Sequence, residues 1–93
     1  MSPEKILSVI ETYEERLVTE KVPKIRIDPK RTFSSLSNDE ILAHAHYLID
    51  GVKEYARTPN KAGKTGRHFA SMQMCLSFAG WYTLEELMNH NRS

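Results

Sequence analysis

Between His68 and Leu84 the chain carries no charged residue, and this constrains the fold more than any other feature. Arg67–Ala79 has helical spacing with two apolar faces: Phe69, Met72, Cys75, Leu76 and Ala79 form one, Ala70, Met74 and Phe78 the other. A helix that is apolar nearly all round belongs at a centre, packed on both sides. The chain supplies little to pack there. It has 93 residues, of which only 21 are Leu, Ile, Val or Phe, so residues 1–93 read as a single domain with a thin core. A chain this short buries little more than ~60% of its unfolded surface. The second face of the helix is therefore expected either to complete the core or to meet another subunit. The subunit reading makes a homo-oligomer the expected assembly, with Met74, Phe78, Trp81 and Tyr82 at the interface.

The remaining helices announce themselves by their caps. Ser2 followed by Pro3 reads as an N-cap with proline in the first turn. Ile6, Ile10, Tyr13 and Leu17 then recur on one stripe, which predicts a helix over 3–20. Ser37 and Glu40 form a capping box ahead of a second helix over 38–57. Its apolar residues, Ile41, Leu42, Ala45, Leu48, Ile49, Val52, Tyr55 and Ala56, cover an arc of about 140°, with Tyr47 nearly opposite. Gly80 is the expected stop of the third helix, and a second capping box, Thr83 with Glu86, opens a short last helix over 84–90. The expected fold class is all-α: an up-and-down domain of three main helices plus a short C-terminal one.

Two connections interrupt this plan. Pro23 and Pro29 forbid a helix across residues 22–35, and Lys24-Ile25-Arg26-Ile27-Asp28 alternates polar and apolar like an extended strand. With no partner strand elsewhere, this piece either lies over a groove between helices, burying Ile25 and Ile27, or pairs with its own copy in a second chain. Residues 58–66, Thr-Pro-Asn-Lys-Ala-Gly-Lys-Thr-Gly, read as a turn-rich loop.

Charge is segregated along the chain. The net charge is only +1, which excludes a general polycation. Yet residues 21–32 hold five cations against one carboxylate, and residues 53–67 again hold five against one. The helical stretches 1–20 and 33–52 are acidic instead. Such blocks are either solubility charge or a phosphate site built from forked guanidinium bonds. In the second case Arg26, Arg31, Arg57, Lys64 and Arg67 would hold the phosphate, and Tyr47 or Tyr55 would offer a stacking surface. The two blocks meet only if the first connection folds back. Gly66 and the amides at the start of the third helix would then help hold the anion.

Sharper chemistry finds no support. Gly63-Lys64-Thr65 echoes the end of a P-loop, but Thr58 stands where that motif needs glycine and a helix precedes it where a strand is required. His44 and His46 point about 200° apart on a helix and cannot chelate one ion. Cys75 reads as a buried hydrophobe, and the carboxylates occupy caps and solvent faces. The expectation is a non-enzymatic protein with no cofactor and no metal. A lone cysteine fits a reducing compartment, and the chain shows neither a membrane-length apolar run nor a signal-peptide h-region. A cytoplasmic location is expected.

The phrases Leu36–His46, Gly66-Arg-His68, Thr83–Leu87 and His90-Asn-Arg92 resemble those of small helical proteins of unassigned function encoded by bacteriophages and prophages. The resemblance covers the C-terminal two thirds and rests mainly on helix caps. In size and layout the chain is also similar to phage counter-defence sponges, which implies sequestration of a nucleotide signal by a helical oligomer. Two functions are therefore carried forward. One is a binder of a nucleotide or nucleic acid through the basic blocks. The other is a protein-binding adaptor or inhibitor acting through the Met and aromatic surface of the third and last helices.

Overall fold

The computed structural model describes residues 1–92. Helices α1 (Pro3–Thr19), α2 (Asn38–Ala56), α3 (Ala62–Phe78) and α4 (Leu84–Asn91) follow in order, with a single 3-10 turn at Phe33–Ser35 and no strand among the described residues. The fold is all-α, as expected. Helix α2 packs against both α1 and α3, and α4 returns to α1.

Local chemistry places the helix starts. The Ser2 hydroxyl accepts from the Lys5 amide at 3.1 Å. At α2, Ser37 and Glu40 exchange bonds of 3.2 and 3.0 Å, and Thr83 and Glu86 do the same at α4, at 3.1 and 3.0 Å. Such caps satisfy amides that the helix itself leaves free. The helix ends follow equally local rules. At the end of α3 Gly80 takes φ +83°, letting its own amide reach Ser77 O and the Trp81 amide reach Leu76 O. The end of α1 closes in the same way. There Lys21, at φ 59°, fills the position that favours glycine, and the Val22 amide bonds Leu17 O at 2.9 Å.

The apolar stripes meet in one core, with Ile10, Leu17, Ala45, Ile49, Val52, Met72 and Leu76 fully buried. A polar cluster lies at its edge, with Tyr13 and Gln73 buried and His90 and Asn91 half-buried. The Tyr13 hydroxyl, on a residue only 1% exposed, receives the Gln73 amide at 3.1 Å and lies 2.7 Å from His90 Nδ1. Its proton is thus free to go to the imidazole. Gln73 and Asn91 exchange two further amide bonds, at 2.8 and 3.1 Å. These contacts fasten the eight-residue α4, too short to be stable alone, onto α1 and α3.

Three expectations are corrected. First, α3 starts at Ala62, not Arg67, so the turn shrinks to Thr58–Lys61. Asn60 at φ 64° makes the reversal, and the two glycines that resembled loop residues lie in the helix. Second, the central helix of the single chain is α2. Its far side is roofed by the extended connection, which buries Ala43 and His46 outside the core arc. Third, that connection buries neither isoleucine: Ile25 is 57% exposed and Ile27 only partly buried. It is held through other atoms. His46 Nδ1 donates to Val22 O at 2.8 Å, the Ile25 amide donates to Ala43 O at 3.1 Å, and the Ile27 amide donates to His44 Nδ1 at 3.3 Å. Lys24 adds an ion pair to Asp50. No helix among the described residues is long and apolar enough to cross a membrane.

Candidate functional site: a cationic cleft walled by α2, α3 and the extended connection

Where the connection passes over α2 toward α3, it leaves a cleft of about 460 Å³. Arg26, Pro29 and Phe33 line it from the connection, His44 and Leu48 from α2, and Lys64, Arg67, His68 and Ser71 from α3. The first connection does fold back. Arg26 from one basic block therefore faces Lys64 and Arg67 from the other, and no carboxylate lines the space.

Each side chain has a physical reason for its position. Arg26 follows Ile25, whose amide is tied to α2, so the backbone path presents it to the cleft. Lys64 and Arg67 are one turn apart on α3 and share a face. Arg67 lies back along the first turn: a methyl placed on Gly63 would meet its Nη1 at 3.5 Å. Lys64 sits over the Tyr55 ring, with its ammonium 4.5 Å from the centroid. Among the described residues, none of these three cations is in an ion pair, whereas Lys24, Arg31 and Lys53 of the same blocks are.

The two histidines are held by single bonds. His44 Nδ1 accepts from Ile27, and the ring lies between Phe33 and Tyr47, at centroid distances of 6.0 and 5.8 Å. Burial pushes the His44 pKa down, and the nearby charge of Arg26 adds to this. His68 Nδ1 donates to Lys64 O at 3.0 Å, and Tyr55 presents an edge to its ring at 5.0 Å. A larger cleft, about 530 Å³, also takes Arg26 into its wall. Its wall mixes Lys21, Arg26 and Arg31 with Glu20, Asp28, Asp39 and Glu40, and of these cations Arg31 is paired, with Glu40.

The five cations expected at a phosphate site thus divide. Arg26, Lys64 and Arg67 come together. Arg31 is spent on Glu40 and on Ser35 O. Arg57 lines a separate cleft beside Met1 and Pro3 at the start of α1. Tyr47 and Tyr55 both border a smaller hollow that shares Leu48 and His68 with the cationic cleft. The Gly66 amide is not available to an anion, because it lies inside α3; the unbonded amides of the first turn are those of Ala62, Gly63 and Lys64. Thr65 is buried, with its hydroxyl donated to Lys61 O.

The expected interface also divides. Met74 and Phe78 are exposed, at 44% and 63%. Trp81 and Tyr82 pack inward instead: Arg16 lies 3.9 Å over the Trp81 ring, and Tyr82 meets Tyr13 and His90. Cys75 is buried, and burial pushes its thiol pKa up to about 11. Among the described residues no three His, Cys, Asp or Glu side chains are grouped to hold a metal ion. Sequence reasoning missed Phe33, His44, His68 and Ser71. A signal for Ser71 was available, since Lys64, Arg67, Ser71, Met74 and Phe78 recur at helical spacing once α3 is begun at Ala62.

No protein-family model matches the chain. Comparison with the curated proteins and with the solved structures likewise found no significant match.

Proposed function

We propose that this protein is a non-enzymatic binder of a phosphate-bearing ligand, held in the cleft of Arg26, Lys64 and Arg67. The observation that carries the reading is the convergence of these three unpaired cations from sequence blocks some forty residues apart. Bringing like charges together without a carboxylate costs electrostatic energy, and an anion offsets that cost. Guanidinium forks match the oxygens of a phosphate with paired, charge-assisted hydrogen bonds. A binding role rather than a catalytic one is supported by a cleft lining that offers cations and no carboxylate for acid–base work. A role in sequestering a nucleotide signal agrees with the likeness in size and layout to phage counter-defence sponges.

The test is calorimetry with pyrophosphate and with short oligonucleotides at low salt. Joint reversal, Arg26→Glu with Arg67→Glu, is expected to abolish binding while leaving the helical circular dichroism unchanged, because both residues are exposed. With an oligonucleotide, each lost phosphate contact lowers the salt slope by roughly one unit. Absence of heat from any phosphate compound at low salt refutes the reading.

A second reading, self-association or capture of a protein partner, is favoured by Phe78, Leu84 and Met88, exposed at 63%, 63% and 53%. Sedimentation of the parent and of Phe78→Asp at micromolar concentration tests it. A compact monomer in both samples, with equal stability, removes the seam.

A further inference from the structure

The outward stripe of α3 changes character along its length. Lys64 and Arg67 make its first half cationic, Ser71 is neutral and polar, and Met74 and Phe78 make its second half apolar. The second half is hollow. Phe33, Ala70, Ser71, Met74, Cys75 and Phe78 line a depression of about 270 Å³, and Phe33 and Ser71 also line the cationic cleft. The two spaces therefore share a wall. Phe33 and Phe78 stand nearly parallel there, with planes 19° apart and centroids 6.5 Å apart. Three large apolar side chains, Phe33, Met74 and Phe78, are each more than 40% exposed at this site. An apolar floor opening directly into an uncompensated cationic cleft suits a ligand that joins an anion to a flat ring.

We infer that the ligand is a nucleotide unit, with its phosphate among Arg26, Lys64 and Arg67 and its base against Phe33, Met74 and Phe78. The inference rests on the phosphate reading above and deepens it. Arg67 and Met74 are seven residues apart on α3, about 10.5 Å of rise, a span that one nucleotide covers from phosphate to base. Aromatic faces and a polarisable thioether favour a planar π-system over an alkyl chain. Ser71, between the two halves, can bond sugar or phosphate oxygens. The bases are thus assigned to the Phe33 side of the cleft and not to Tyr47 or Tyr55, whose hollow also holds Asp50 and Glu54.

The nucleotide can be free or part of a single strand, and the same titrations separate these sources. Adenosine 5′-monophosphate, ribose 5-phosphate, butyl phosphate and a five-residue oligoadenylate are titrated into the whole chain. Stacking makes the monophosphate bind roughly tenfold or more tightly than ribose 5-phosphate. Phe33→Ser and Phe78→Ser each remove most of that advantage and leave ribose 5-phosphate unchanged, whereas Arg67→Ala weakens every probe. An oligoadenylate that binds more tightly than the monophosphate assigns a strand; equal affinity assigns the free nucleotide. If ribose 5-phosphate or butyl phosphate matches the monophosphate, the inference falls and the phosphate reading stands. If no probe binds, both fall. If Phe78→Ser converts a dimer to monomer with nucleotide affinity unchanged, the apolar half belongs to a second copy and the inference is overturned.

Discussion

Alanine at Gly66 and alanine at Gly80 make the same covalent change, in each case with no atom beyond the local backbone within 4 Å of the new methyl. The expected effects are opposite. Gly66 is the fifth residue of α3, where glycine carries a backbone-entropy penalty that alanine lacks. Gly66→Ala is therefore stabilising by about 0.5–1 kcal/mol. Gly80 sits at φ +83°, where a Cβ crowds the following carbonyl, so Gly80→Ala destabilises by about 1–2 kcal/mol. Since packing contributes at neither site, the difference between the variants isolates backbone conformation. In a domain of this size each kcal/mol moves the melting temperature by about 4–8 °C. The two variants should bracket the parent by an easily resolved interval. Thermal melts followed by circular dichroism measure it, and urea titrations check that the m-value is unchanged. A neutral or destabilising Gly66→Ala would refute the helical start at Ala62. The register that places Lys64, Arg67 and Ser71 on one face would fall with it.

Four further outcomes are expected. Lys21→Gly stabilises the chain by about 1 kcal/mol, because Lys21 holds a left-handed turn that glycine adopts freely; an unchanged melting temperature contradicts this. Tyr13→Phe costs about 1–3 kcal/mol by removing the hydroxyl that bonds His90 Nδ1 and one of the two acceptors of the Gln73 amide, read as a lower urea midpoint; an unaltered midpoint contradicts it. The Cys75 thiol, raised to about 11 by burial, resists an aromatic disulfide reagent at mild alkaline pH until denaturant is added; rapid native labelling counts against it. His44, held below its ordinary value by burial and then by Arg26, titrates by NMR with a midpoint under ~6.5. Its sign is fixed: the unfolded chain binds the proton first, so this group makes stability fall as pH drops from its unfolded value toward its folded one. A midpoint at or above the ordinary value refutes the placement.

How much of this was legible depends on the range of the signal. The capping boxes at Ser37 and Thr83 and the stop at Gly80 are encoded within a few residues, and reading them from sequence placed the ends of α2 and α4 within one residue. The start of α3 misled because Pro59, Gly63 and Gly66 give a loop composition, while packing of Thr65 and Phe69 into the interior favours helix there. The Tyr13, Gln73, Asn91 and His90 cluster was invisible because it joins residues up to 77 positions apart. Of the cleft, the cations stood out as charge blocks. That Arg26 rather than Arg31 or Arg57 would complete it depended on the path of the connection. Ile25, expected to be buried, is exposed because the segment is fixed by hydrogen bonds rather than by apolar packing.

That mode of fixing has an evolutionary consequence. The connection keeps its course over α2 with the carbonyl of Val22 and the amides of Ile25 and Ile27, atoms that any residue but proline supplies. Of its side chains, Val22 and Lys24 add anchorage through the core and Asp50, whereas Arg26 is, among the described residues, in no ion pair. Substitutions at Arg26 and its neighbours can then change which anion or ring the cleft accepts without the helices having to refold, so one wall of the site is free to diverge while the α3 wall stays tied to the core.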